Sequence, residues 1–253
     1  MLRPDVIGLQ EASVSRRRGN VAGRLAEGLG FFHVYASTNP RPFGGEWVHG
    51  ALAALLNFSE GPAIVSRFPI LEWRVHRLPR CAGNFGELRV LLSATLDTPW
   101  GTMEVSSTHT RGDPCQTRAV ADLVSRGPRP LPGVLMGDFN AVEGSPALAS
   151  FRESAGFVDA FRAANPMDSG PTVWQRLDAP ESTVSRRVDH IFLLPGERIR
   201  GGVLSSRVVL NQRRRLEGGG SLWPSDHYGV QADVEIAPGS THRVSAPVQG
   251  VSR

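Results

Sequence analysis

The segment Gly137-Asp138-Phe139-Asn140-Ala141 sets a carboxylate and an amide two residues apart, behind the apolar run Val134-Leu135-Met136. Alternate side chains of a strand share a face. Asp138 and Asn140 are therefore expected to look into one pocket at a strand's C-terminal end. A D-x-N pair taken alone also makes ordinary turns. It gains weight from four further polar signatures: Leu9-Gln10-Glu11, Thr108-His109-Thr110, Val188-Asp189-His190 and Ser225-Asp226-His227. The first three follow strand-like stretches and the last precedes one. Acids, amides and imidazoles gathered in this way suit phosphoester hydrolysis. That chemistry needs charge neutralisation, an activated water and a donor for the leaving group.

The elements that would carry these residues follow from periodicity and turn residues. Strands are expected at Asp5–Gln10, Phe32–Ala36, Ala51–Leu56, Ala63–Val65, Leu88–Leu96 and Met103–Ser107, and later at Val188–Leu194, Val203–Val209 and Tyr228–Ile236. Another leads into Asp138. Thr98-Pro99-Trp100-Gly101 reads as a turn between paired strands. Helices are expected at Asn20–Leu29, closed by Gly30, at Gln116–Val124, and from an N-cap at Ser145 with Pro146 at the first helical position. The last of these runs to about Ser154. Strands outnumber helices, which argues for an α/β or α+β sheet protein.

At 253 residues the chain suits one domain with a sizeable core. Hydrophobic content of 40% and charged content of 21% are those of an ordinary globular protein. No apolar run is long enough to span a membrane. The formal charge is +4, and all 28 basic residues are arginine. That is a mild phosphate preference at most, and a codon bias is the favoured reading of the arginine content. Arg16-Arg17-Arg18 and Arg213-Arg214-Arg215 lie near the polar signatures in sequence; they read as a phosphate-tracking rim or, more commonly, as solvated loop charge. Cys81 and Cys115 show no metal spacing and are expected to be reduced thiols, a disulfide being the alternative.

The five signatures, in this order and spacing, resemble the endonuclease/exonuclease/phosphatase superfamily. The group includes deoxyribonuclease-I-like nucleases, neutral sphingomyelinases and inositol polyphosphate phosphatases. The resemblance spans roughly residues 5–236. It implies a four-layer sandwich, two central β-sheets packed face to face with helices outside, and a site where the signature loops converge. It also implies Mg²⁺ or Mn²⁺ held by Glu11 and Asp226, and His227 as general base. Asp189 would fix the tautomer of His227. Asp138 and Asn140 would orient water, contact the phosphate and assist the leaving group, while His109 would donate to a phosphate oxygen.

Arg111, two residues beyond His109, is expected to reach a phosphate as a further contact. Trp174, in Gly170-Pro171-Thr172-Val173-Trp174, would stack on substrate or simply pack. Taken singly, Glu11 reads as a surface acid and His109 as a strand-end histidine. His190 is expected on the face opposite Asp189, as a structural residue. Arg89 reads equally as a site residue or a structural pair.

Relatives begin with a further strand ending in asparagine, ahead of the glutamate. Here Glu11 comes too early for one, so the N-terminal strand of the sandwich is expected to be missing. This leaves open either a start placed too late or a real truncation. The catalytic domain is assigned to residues 1–237 and a disordered tail to 238–253. The expected protein is a monomer, cytoplasmic by default, or secreted if its true start lies upstream. Its expected function is a metal-dependent phosphodiesterase or nuclease, with nucleic acid slightly favoured over lipid headgroups or inositol phosphates. The alternatives are a sphingomyelinase-like or inositol-phosphate-phosphatase-like enzyme, or a truncated, non-catalytic phosphate-binding module.

Overall fold

The computed structural model describes residues 2–16, 19–38, 58–81, 88–153 and 156–236. The first half of the chain forms β1 (Val6–Ser15), β2 (Gly19–Asn20), α1 (Val21–Leu29), β3 (Phe32–Tyr35), β4 (Phe58–Ser66), β5 (Ile70–Arg77), β6 (Val90–Thr98), β7 (Gly101–His109) and α2 (Pro114–Val124). β8 (Gly133–Asp138) follows, then a single 3-10 turn (Pro146–Leu148) leading into α3 (Ala149–Glu153). The remainder is β9 (Val158–Asp159), α4 (Ala160–Ala164), β10 (Asp189–Leu194), β11 (Gly202–Val209), β12 (Arg214–Arg215), β13 (Ser221–Leu222) and β14 (Gly229–Glu235).

Strand alternation builds the layers. In β6, Leu91 faces Val120 and Phe151 in a helix-side core, while Leu92, Ala94 and Leu96 meet Ile64 and Val105 between the sheets. In β4, Ile64 points into that inter-sheet core, and Ala63 and Val65 point the other way, onto Ala22 and Ala26 of α1. The order across the molecule is thus α1, a sheet, a second sheet, and α2 with α3: the α/β sandwich the signatures imply. Each fully buried Leu or Phe in these cores contributes roughly 1.5–3 kcal/mol.

The central sheet has the order β5-β6-β7-β8-β10-β9, with β7 and β8 parallel. α2 makes the crossover between those two strands, as parallel neighbours require. The facing layer has the order β2-β1-β4-β3, beside a separate pair, β11-β14. On the side away from β4, β1 is bonded only at Val14 and Ser15, to β2. β14 is paired only to β11. Among the described residues neither of these edges meets a further strand.

Three expectations need correction. β1 does not end at Gln10; it continues to Ser15 through a register shift between Leu9 and Ala12. Glu11 has φ 51° there, so it sits in a bulge inside a strand. Ser145 precedes only a 3-10 turn and makes no side-chain cap. Cys81 and Cys115 are joined in a disulfide. Their spacing carries no signal because the fold makes the contact: Gln116 in α2 donates to Pro79 O at 3.2 Å, docking the helix start beside Cys81. The strand expected at 51–56, Arg17, Arg18 and the tail 238–253 lie outside the described residues.

Candidate active site

Three adjacent strands end together. In the parallel β7/β8 ladder His109 lies opposite Asp138, and in the antiparallel β8/β10 ladder Asp189 lies opposite Asp138. Directly paired residues share a face. The register therefore puts an imidazole and two carboxylates in a row on the inter-sheet side. His227, two residues before β14, completes the group, with Nδ1 at 3.0 Å from Asp189 Oδ2. Ligand-capable atoms of Asp138, Asp189 and His227 lie within 4.8 Å of one another.

Asn140 reaches the same place by a route that alternation does not describe. The strand stops at Asp138, and Asn140 has φ 48°, a left-handed conformation that Asn tolerates better than most residues. Its backbone N–H donates to Asp138 Oδ1 at 2.7 Å. Its Nδ2 donates to Thr110 O at 2.9 Å and lies 3.0 Å from His109 Nε2. Phe139, between the two polar residues, is fully buried and meets Phe151 and Phe192 edge-on at 5.3 and 5.5 Å. It plugs the turn into the helix-side core. Gly112 (φ 73°) lets the two loops close, since a Cβ there would lie 2.3 Å from Asn140 O.

The histidines are in opposite electrostatic settings. Arg89 Nη1 is 2.7 Å from His109 Nδ1. Arginine can only donate, so Nδ1 accepts and the proton of the neutral ring lies on Nε2, 3.3 Å from Asp138 Oδ2, with Asn140 Nδ2 donating to Thr110 O and not to the ring. Burial, reinforced by the charges of Arg89, His227 and Arg111, pushes the His109 pKa down to about 3. It is a neutral donor. For His227 burial also favours the neutral ring, but the hydrogen bond and charge of Asp189 outweigh it and raise the pKa to about 9. Burial and the charge of Asp189 push Asp138 up to about 7.

The other expected site residues fall at the rim. Glu11 is exposed, with Oε1 3.7 Å from His109 Nδ1. Its bulge is pinned across the layers: Ser107 Oγ donates to Leu9 O at 3.1 Å and accepts from Gln10 Nε2 at 3.1 Å. Asp226 accepts from Trp174 Nε1 at 3.1 Å and Ser225 Oγ at 3.2 Å. Trp174 is 55% exposed, leaving much of its ring open beside that carboxylate. Neither Glu11 nor Asp226 joins the trio within ligand distance among the described residues. Arg111 is close enough for its charge to bear on His109, and its N–H donates to Gln116 Oε1. Arg213 is engaged with Pro180 O and Ser221 O, whereas Arg214 and Arg215 are exposed.

Two contributors carried a weak sequence signal. Arg89 contacts His109, one of the two readings its position offered. Thr172, fully buried, accepts at Oγ1 from the N–H groups of Val188 and Asp189 at 3.2 and 3.3 Å, fixing the start of β10. His190 points to the helix side, opposite Asp189, as alternation predicts.

A sequence model described as "Endonuclease/Exonuclease/phosphatase family" matches residues 2–227. Among solved structures, the chain is similar to an endonuclease/exonuclease/phosphatase from Beutenbergia cavernae, with 26% identity and a TM-score of 0.66. That match covers 92% of this chain but 63% of the other, so this chain spans less than two thirds of that relative's length. It is also similar to a Bacteroides thetaiotaomicron mannosyl-6-phosphatase, with 19% identity, TM-score 0.65 and coverage of 92% and 85%. A third similar structure is D. rerio TDP2 complexed with a single-strand DNA product, with 16% identity, TM-score 0.63 and coverage of 92% and 86%. A search of curated proteins gives no match.

Proposed function

The chain belongs to the endonuclease/exonuclease/phosphatase family, and from that premise we propose that it is a divalent-metal-dependent phosphoester hydrolase that activates water with His227. The observation that carries the reading is the Asp189–His227 hydrogen bond, closed within 4.8 Å by Asp138 at the end of the inter-sheet cleft. In this reading Asp189 holds His227 Nδ1, and the form that reacts carries the trio's one proton on Asp138, which leaves His227 Nε2 to take the proton from an attacking water. Neutral His109, with its ring proton on Nε2, donates to a phosphate oxygen. Asn140 orients the water or the phosphate, and Asp138 supplies a proton to the leaving oxygen. Arg111 is the proposed second phosphate contact.

The donor set fits a hard cation. Carboxylate oxygens predominate, and the buried Asp138–Asp189 pair is a concentration of negative charge that a cation would relieve. Mg²⁺ or Mn²⁺ would be held by Glu11 and Asp226, and when bound it supplies positive charge against the phosphate.

Nucleic acid is the proposed substrate class. The exposed ring of Trp174 beside Asp226 suits stacking of a base, exposed Arg214 and Arg215 add positive charge, and one similar structure holds a single-strand DNA product. The likeness to a mannosyl-6-phosphatase keeps a sugar phosphate as the second reading.

The test is hydrolysis of bis-p-nitrophenyl phosphate, a single-stranded oligonucleotide and mannose 6-phosphate, each with Mg²⁺ or Mn²⁺ and then with EDTA, against His227→Ala. Metal-dependent turnover lost in the variant is expected, with the oligonucleotide preferred. Binding of the oligonucleotide with no turnover of any substrate would replace the hydrolase reading with that of a binding module.

A further inference from the structure

We infer that His190 is a positioning residue, which with Arg187, Asp159 and Glu143 braces the Asn140 turn from behind and so sets the Asn140 amide against His109. His190 touches none of the reacting groups. Its ring is 1% exposed, stacked on Phe192 at 5.6 Å and edge-on to Phe139 at 5.8 Å. Nε2 lies 3.1 Å from Ala141 O, to which it donates. Nδ1 lies 3.1 Å from Asp159 Oδ2 and 3.0 Å from Arg187 Nη1.

Arg187, 4% exposed, donates through Nη1 to both Asp159 oxygens at 3.0 and 2.9 Å, and through Nη2 to Glu143 Oε2 at 2.8 Å. Arg162 grips Glu143 from the other side, with Nε at 2.9 and 3.0 Å from its two oxygens. Ala141 and Glu143 are the first and third residues after Asn140. The network therefore holds the carbonyl next to that left-handed residue and the side chain three positions after Asn140. A non-glycine residue at positive φ is held there by its surroundings.

The same network reaches the other half of the site, because Arg187 lies two residues before Asp189. Asp138 and Asn140 on one side, and Asp189 with His227 on the other, are thus referred to one buried cluster. Buried ion pairs are a weak source of net stability compared with apolar packing. A set of charges held in this place is better explained by the geometry it enforces.

The test uses two variants of the full chain. His190→Phe keeps a ring on Phe192 and removes both nitrogens. Glu143→Gln, at a side chain about one-third exposed, loosens the brace more gently and decides the matter if the first variant does not fold. The backbone and side-chain ¹³C shifts of Asn140 are expected to move away from left-handed values in either folded variant. Turnover of bis-p-nitrophenyl phosphate is expected to fall ten- to a hundredfold in kcat, with KM changed less than threefold. In an Asn140→Ala background the same substitutions should cost clearly less than in the wild-type chain, because the group they chiefly act through is already gone. Unchanged Asn140 shifts in a folded variant, or losses that add fully to that of Asn140→Ala, would overturn the inference. The activity readings rest on the proposed hydrolase function; a wild-type chain that turns over nothing would sink that function, and the Asn140 shifts would still decide the brace.

Discussion

Asp138 combines buried charge with close contact to a second acid, and both raise its affinity for a proton. Its folded pKa of about 7 lies above the ordinary carboxylate value of 3.8. The fold therefore bears a cost for ionising Asp138 that is present above about pH 7 and vanishes below about pH 4. Asp138→Asn keeps the shape and an acceptor for the Asn140 N–H. It is expected to unfold at a higher temperature than wild type at pH 8, by an amount equivalent to about 1–2 kcal/mol, with the difference closing at pH 4. Turnover should fall at least a hundredfold; an unchanged melting difference between the two pH values would reject the assignment of the buried charge. His227 has the opposite sign. Its pKa is raised to about 9, so its stabilising contact with Asp189 is fully present below about pH 6.5 and is lost as pH rises through 9. Between about pH 7 and 9 the Asp138–Asp189–His227 trio shares one proton beyond the fully deprotonated state. The pH profile of kcat/KM is expected to form a plateau there, its limbs belonging to the trio as a unit. In Asp189→Asn the alkaline limb should move down toward the ordinary histidine value of about 6.5, with kcat reduced a hundredfold or more. A limb that stays near 9 would remove Asp189 from its role as the partner of His227.

At the scale of elements, the site depends on places where regular structure is interrupted. The bulge in β1 turns Glu11 outward, and Ser107 of β7 supplies the partner that an irregular Leu9 carbonyl needs. The turn after β8 is held by Phe139 in the core, by Thr110, whose Oγ1 donates to Phe139 O at 2.8 Å, and by the brace behind it. The Cys81–Cys115 disulfide joins the approach to Arg89 to the start of α2, which follows His109 and Arg111. Closing a loop with 34 residues of separation restricts the unfolded chain by roughly 3–4 kcal/mol. Cys81→Ser/Cys115→Ser, or reduction of the native pair, is expected to lower the urea midpoint by a matching amount. Equal midpoints with and without dithiothreitol would show that the link adds nothing.

For the whole molecule, the proposed site lies at one end of the two packed sheets, and all 28 basic residues of the chain are arginine. If nucleic acid is the substrate, KM for a single-stranded oligonucleotide should rise steeply with salt, with a logarithmic slope of about 0.7 for each phosphate contacted. KM for mannose 6-phosphate should change far less. Equal, shallow slopes would favour the small substrate. Much of this organisation was legible in the chain. Apolar alternation gave most of the strands, and Asn20 and Gly30 marked the ends of α1, where Asn20 Oδ1 caps Gly23 N and Gly30 adopts φ 69°. The polar signatures at strand ends marked Asp138, Asp189, His109 and His227, because a polar group that ends an apolar strand is recognisable without knowing its partner. What they could not give is contact between elements far apart in sequence. Arg89 on His109, Thr172 on the start of β10, the His190 brace and the Cys81–Cys115 pair each join such elements, and β5 and α4 showed no distinctive pattern. The sequence by itself determined an α/β or α+β sheet protein and the acids, amides and imidazoles available, since these are written in local periodicity and residue type, while the layered sandwich and the family followed from the resemblance its motifs carry. Only the tertiary structure decided which of those groups meet and in what protonation state, because register, burial and neighbouring charge exist only once the strands are side by side.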